Sequence, residues 1–141
     1  RYYVRAVRGG KAVIESLDNL IINANGTVTD SATGLMWQQD TPDNSMTWEE
    51  ALSYCKNLNL GGYTDWRLPT IKELRTIVDY RRYEPAIDTN IFNNTFRSFY
   101  WSNTTGSDAT YEAWGVYFED GYDSYSDKSH DGYVRAVRGG Q

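Results

Sequence analysis

Cys55 and His130 are the only thiol and the only imidazole in the sequence, so they form the one nucleophile–base pair it offers beyond its hydroxyls. Cys55 falls in an apolar helical register with Trp48, Ala51, Leu52 and Leu58, which points to a buried, inert thiol. A single His and a single Cys set aside His-rich or multi-Cys metal sites and leave a Ser-His-Asp triad little to build on. Asp120, Asp123, Asp127 and Asp131 carry the hard oxygen donors that calcium takes, but their spacing fits no EF-hand loop. The isolated carboxylates also lack a partner arrangement for acid–base work. The expectation is therefore a protein that is not an enzyme, with no catalytic residue and no resident cofactor; calcium is the alternative.

Recognition chemistry is richer. Between Glu119 and Tyr133, thirteen of fifteen positions are Asp, Ser, Tyr, Gly or His. Tyr gives stiff amphipathic contact area, Ser and Gly adapt, and Asp anchors polar groups, which is the vocabulary of antibody paratopes. These are also residues reached by changing adenines in Asn codons. The expected contact set is Asn103, Ser107, Asp108, Tyr111, Tyr117, Glu119, Tyr122, Ser124, Tyr125, Ser126, Asp127, Ser129 and His130. The competing reading is a solvated hairpin whose turns happen to use Asp, Ser and Gly.

Composition narrows the partner. A net charge of −5 with no basic run argues against nucleic acid and anionic membranes. No apolar run approaches the roughly 20 residues of a membrane span. The chain starts at Arg1 inside a motif and reads as a mature or excised piece.

The elements that must carry these residues follow from local pattern. The 141 residues suit one compact domain. Leu20-Ile21-Ile22 leads to an Asn25-Gly26 turn, then a strand Thr27 to Asp30 and its hairpin partner Leu35 to Gln39. Thr47 with Glu50, and Thr70 with Glu73, are two capping boxes, each opening an amphipathic helix. Gly61-Gly62 is expected to stop the first helix. An irregular stretch with Pro85 precedes an extended run Phe99 to Ser102. Trp114, Val116 and Phe118 are expected inside, alternating with outward Gly115, Tyr117 and Glu119. Asp120-Gly121 turns the chain, and Tyr133 to Arg138 is the last strand. This order predicts an α+β domain with two helices and a small antiparallel sheet. Trp101 is expected in the core, Arg135 on a carboxylate, and Trp66 and Arg67 in structural roles.

One repeat stands out. Tyr3-Val4-Arg5-Ala6-Val7-Arg8-Gly9-Gly10 recurs as Tyr133-Val134-Arg135-Ala136-Val137-Arg138-Gly139-Gly140. A tandem array is the simplest account: residues 1–19 as the final strand of a preceding copy plus a linker, and 20–141 as the binding domain. Both copies serving one fold as terminal strands is the alternative.

Gly26-Thr27-Val28-Thr29-Asp30, Thr33-Gly34-Leu35-Met36-Trp37, Gly61 to Thr70 with its Asp65-Trp66-Arg67-Leu68-Pro69-Thr70 string, Tyr100-Trp101-Ser102 and the final Tyr133 to Arg138 are arranged as in the Lcl C-terminal domain family. The resemblance covers about Asn25 to Gln141. It implies a C-type-lectin-like fold with its termini close together, related to formylglycine-generating enzymes. It also implies surface adhesion, glycan or glycosaminoglycan binding, tandem or trimeric assembly, and an extracellular or cell-surface location. The family is one of the scaffolds diversified by retroelements in the C-terminal third. Many members carry a second Cys where this chain has Ala136, which makes Cys55 its former partner by resemblance. The acidic composition turns the ligand implied by the resemblance away from sulfated glycans and toward a protein or a neutral glycan on another cell or surface. The function expected is a ligand-binding module. The alternatives are a spacer bead in a tandem array and a formylglycine-generating-type enzyme, for which a lone Cys cannot supply the usual pair.

Overall fold

Asn25 and Gly26 reverse the chain between β3 (Leu20–Ile22) and β4 (Thr27–Asp30). The Thr27 N–H and hydroxyl both donate to the Asn25 carboxamide oxygen, and Gly26 takes φ +88°, where a side chain would be strained. A second turn leads to β5 (Leu35–Gln38), and β9 (Val137–Gly139) returns from the far end of the chain to pair with it. The sheet order is β3-β4-β5-β9, all antiparallel. Leu20, Asp30, Leu35 and Gly139 stand in one row across it.

The computed structural model describes residues 19–139 together with the backbone of β1 (Val4–Arg5) and β2 (Val13–Ile14), which pair antiparallel. β2 lies within the stretch expected as a linker. β1 lies within the expected terminal strand, and the other residues of 1–18 fall outside the described residues.

Both capping boxes form. Thr47 and Glu50 exchange side-chain and backbone hydrogen bonds at the start of α1 (Trp48–Lys56), and Thr70 and Glu73 do the same for α2 (Ile71–Arg75). Gly61-Gly62 does not end α1. The helix stops at Lys56 with Asn57 as its C-cap, and the two glycines instead form a separate turn at φ +64° and +86°, bridged by Leu60 and Tyr63. The last apolar residue of the stripe, Leu58, lies just beyond the helix, and the bulk of the stripe is satisfied within it.

A three-stranded sheet, β6 (Phe99–Thr105), β7 (Glu112–Tyr117) and β8 (Asp123–Asp127), completes the domain. It has a core on each side. Tyr100, Val116 and Phe118 join Val28, Trp37, Leu74, Ile77 and Phe92 in one. Phe99, Trp101 and Ala113 join Ala51, Cys55, Trp66, Leu68, Val134 and Ala136 in the other. This arrangement overturns the expectation of one inward and one outward face on β7. Gly115, expected outside, is buried because Phe99 and the Tyr100 carbonyl lie where its Cβ would be. Trp114, expected in the core, is only half-buried.

Arg135 also departs from expectation. Its guanidinium is fully buried and the Asp40 carboxylate acts on it through space, but among the described residues no carboxylate is a hydrogen-bond partner. It donates to the Gln38, Gln39 and Asn94 carbonyls and to the Thr41 and Thr95 hydroxyls. It also lies 4.7 Å over the Phe92 ring. Burial lowers its pKa from the ordinary value. A planar fork of donors suits several carbonyls at once, so sequence neighbours give no warning of the choice.

Candidate binding site

β8 is an edge strand, and its pairing with β7 decides where the expected contact residues point. Trp114 is opposite Tyr125, Glu112 opposite Asp127, and Val116 opposite Asp123. Gly115 is opposite Ser124 and Ala113 opposite Ser126, on the side that also carries Tyr117 and Phe99. The residues expected to share one face are therefore divided. Tyr125 and Asp127 project with Trp114, whereas Tyr117, Ser124 and Ser126 project to the other side.

The Trp114 side holds the better-formed site. The Trp114 and Tyr125 rings meet edge to face, centroids 5.2 Å apart at 80°. The loop after β6 walls them in: Gly106, Ser107, Asp108 and Ala109, with Glu112 at the start of β7, line a cleft of about 100 Å³. That loop is pinned by the Gly106 N–H on the Glu112 carbonyl (2.8 Å) and the Glu112 N–H on the Ala109 carbonyl (3.1 Å). Two aromatic rings beside two carboxylates can stack an apolar face and accept hydrogen bonds from hydroxyl or amino groups. The space is below the few hundred Å³ of an enclosed small-molecule pocket. It fits one projecting group of a larger ligand. Trp114 was missed as a contact residue because its strand phase marked it as core.

On the opposite side Tyr117 packs edge-on against Phe99, centroids 5.1 Å apart, and stays 41% exposed. Ser126 Oγ and His130 Nδ1 are 3.3 Å apart. Asp127 accepts from the Ser129 N–H at 2.9 Å and hydroxyl at 2.7 Å, and these bonds lower its pKa. Lys128 Nζ sits 4.0 Å over the Trp48 ring and donates to Thr105 and Thr110, while its N–H donates to the Tyr111 carbonyl. Tyr111 is exposed beside it. At the far end of the hairpin Glu119 and Tyr122 are exposed, and Tyr80 closes on Gly121.

Asn103 stands apart from all of these. Its N–H donates to Pro69 and its amide to Leu68, and it lines a separate cleft of about 350 Å³ with Lys56, Asp65 and Trp66.

Packing separates the two tyrosines by stability. Tyr117→Ala should cost about 1 kcal/mol in urea unfolding because its ring packs on the core residue Phe99, and Tyr125→Ala less because its ring packs on the half-buried Trp114. Equal losses would show that Tyr125 also anchors the fold.

The acidic residues are dispersed. Asp123 pairs with Arg75 at 2.6 Å, tying β8 to α2, and Asp120 accepts from the Tyr122 N–H. Among the described residues no three His, Cys, Asp or Glu side chains gather as a metal site. Cys55 is buried, and burial pushes its thiol up to about 12, while His130 is exposed.

The Asp65-Trp66-Arg67-Leu68-Pro69-Thr70 string is tied into the fold by its own hydrogen bonds and ion pairs. The Trp66 indole N–H closes the glycine turn by donating to the Leu60 and Tyr63 carbonyls. Arg67 forks onto Glu73 at 2.8 and 2.9 Å and reaches the Gly139 carbonyl, while its backbone pairs with Val137. Asp65 receives Arg138 at 2.6 Å. Burial alone would raise the Glu73 carboxyl, but Arg67 and the Thr70 N–H outweigh it and hold it low. A folded value below the unfolded one gives stability that is fully present above the unfolded value and disappears as pH falls through the folded one. Urea midpoints should therefore drop on acidification below the ordinary Glu range, and Glu73→Gln should flatten that drop. An unchanged acid limb in the variant would remove Glu73 from the account.

Among the described residues no helix is long and apolar enough to cross a membrane. No curated protein matches the chain. Residues 26–138 match the Lcl C-terminal domain, a span that starts at the glycine turn before β4 and ends within β9, and so takes in both cores and every part of the signature string. Over most of its length, then, this chain belongs to the Lcl C-terminal domain family.

Proposed function

We propose that this domain is a non-catalytic, adhesion- or receptor-type binding module, displayed at the cell surface or outside the cell, with its ligand contacts on the β7–β8 hairpin. The fold proposed is C-type-lectin-like. Among the described residues, two helices, antiparallel sheets, and β3 sharing a sheet with the C-terminal strand β9 support it. The observation that carries the function is the set of large aromatics the cores do not use. Tyr111, Tyr122 and Tyr125 are all more than half exposed, and Trp114 stands half-buried over a cleft with Asp108 and Glu112. Aromatic side chains in that setting are where binding energy concentrates. Membership of an adhesin-associated family supports the same reading.

The ligand proposed is a protein or a neutral glycan, because Asp108, Glu112 and Asp127 would repel sulfates. Nucleic acid and membrane insertion are not part of the proposal. The test is an array of neutral and sulfated glycans and of surface proteins, read with and without chelator. Binding to sulfated glycans alone, or loss of all binding on chelation, would overturn it. Failure to bind anything would favour the spacer-bead reading.

The composition of Glu119 to Tyr133 favours a diversified form of this face. A reverse transcriptase gene and an adenine-altered copy of the coding region near the gene would support it. An invariant hairpin across isolates would overturn it.

A further inference from the structure

The octapeptide repeat is a feature that the binding face leaves unused. Its C-terminal copy fills a socket with many specific contacts. Val137 pairs with Trp37 on one side and exchanges both backbone hydrogen bonds with Arg67 on the other. Arg135 fills its cage of carbonyls and hydroxyls, and Arg138 clasps Asp65. Ala136 lies in the same core as Cys55. Residues 3–10 carry the same eight side chains in the same order.

The sheet also places the N-terminal copy within reach. Gly139 ends β9 in the same row as Leu20, three strands away. Three strand spacings amount to about 14 Å. Gly9 would take the place of Gly139, and the stretch from Gly10 to Asn19 extends to more than about 30 Å, so it spans that gap with the chain running in the required direction.

We infer that the groove between β5 and the Arg67 segment is a peptide-binding site with two intramolecular ligands, and that Tyr3 to Gly10 takes it whenever Tyr133 to Gly140 leaves. Both occupants offer the same contacts, so the balance is set by tethers and by small changes in either copy. Among the described residues, the N-terminal copy gives up the two residue pairs joining β1 to β2. The exchange releases Tyr133 to Gly140, the same key, to any other socket of this kind.

The test uses the full chain. Ala6→Cys is oxidised alone and combined with Arg135→Ala, and disulfides are mapped by peptide mass, with Ala136→Cys as the reference for reach to Cys55. A monomeric bond from position 6 to Cys55 is expected, its yield several-fold higher with Arg135→Ala. No such bond in either background while the reference forms, or a bond found only in dimers, overturns the inference. Urea unfolding supplies the second reading if the reference fails to form. Arg5→Ala should be silent alone but should lower the midpoint when Arg135→Ala is present. Equal midpoints for Arg135→Ala with and without Arg5→Ala, or an Arg135→Ala chain that does not fold, also overturn it.

Discussion

Replacing Gly115 with alanine is expected to cost the domain about 3 kcal/mol, among the largest effects of any single methyl group. The added Cβ would stand 2.2 Å from the Tyr100 carbonyl oxygen and 2.4 Å from Phe99 Cζ. The carbonyl is backbone and cannot swing away. Phe99 is itself wedged between Trp101 and Tyr117. Relief requires parting β6 from β7, whose pairing holds both cores together. Urea unfolding at constant slope measures the loss directly. A variant within about 0.5 kcal/mol of the parent would show that the sheet yields easily and that the two cores are not coupled through it.

The second large effect is on binding. Trp114→Ala and Tyr125→Ala should each weaken the best ligand of the array by about 2 kcal/mol, or roughly thirtyfold. The double variant should lose less than the sum, because each ring forms the other's wall. Melting temperature should barely move, since neither ring belongs to a core. Wild-type affinity in both single variants would shift the site to the Tyr117 side of the hairpin. A melting loss that matches the affinity loss would mean that the rings hold the strand in place and do not contact the ligand.

What the sequence revealed followed the range of each interaction. The capping boxes at Thr47 and Thr70 were legible because a hydroxyl and a carboxylate three residues apart complete them locally. The β4–β5 hairpin was legible for the same reason, as was the structural role of Trp66, held by a turn three residues away. The β7 burial was not legible. Alternation reports which residues share a side, but it cannot report that both sides of a strand are covered, and here they are. Trp114 was misplaced because the inner face runs out of core at that row. The Arg135 cage was hidden because its partners lie 40 to 97 positions away and are carbonyls and hydroxyls that any sequence supplies. The contact set was recognisable as a composition. Its division between two sides depended on register, which composition does not carry.

The cage around Arg135 bears on how the domain meets its surroundings. Carbonyls and hydroxyls do not gain or lose protons between mild acid and mild base, so the deepest charge of the fold keeps its partners throughout that range. The carboxylate clasps of Arg67 with Glu73 and Arg138 with Asp65 lie nearer the surface, where protons and salt reach them. Acidic or saline conditions would therefore loosen these two clasps while the Arg135 cage stays locked. Such a layout suits a module that works outside the buffered interior of a cell.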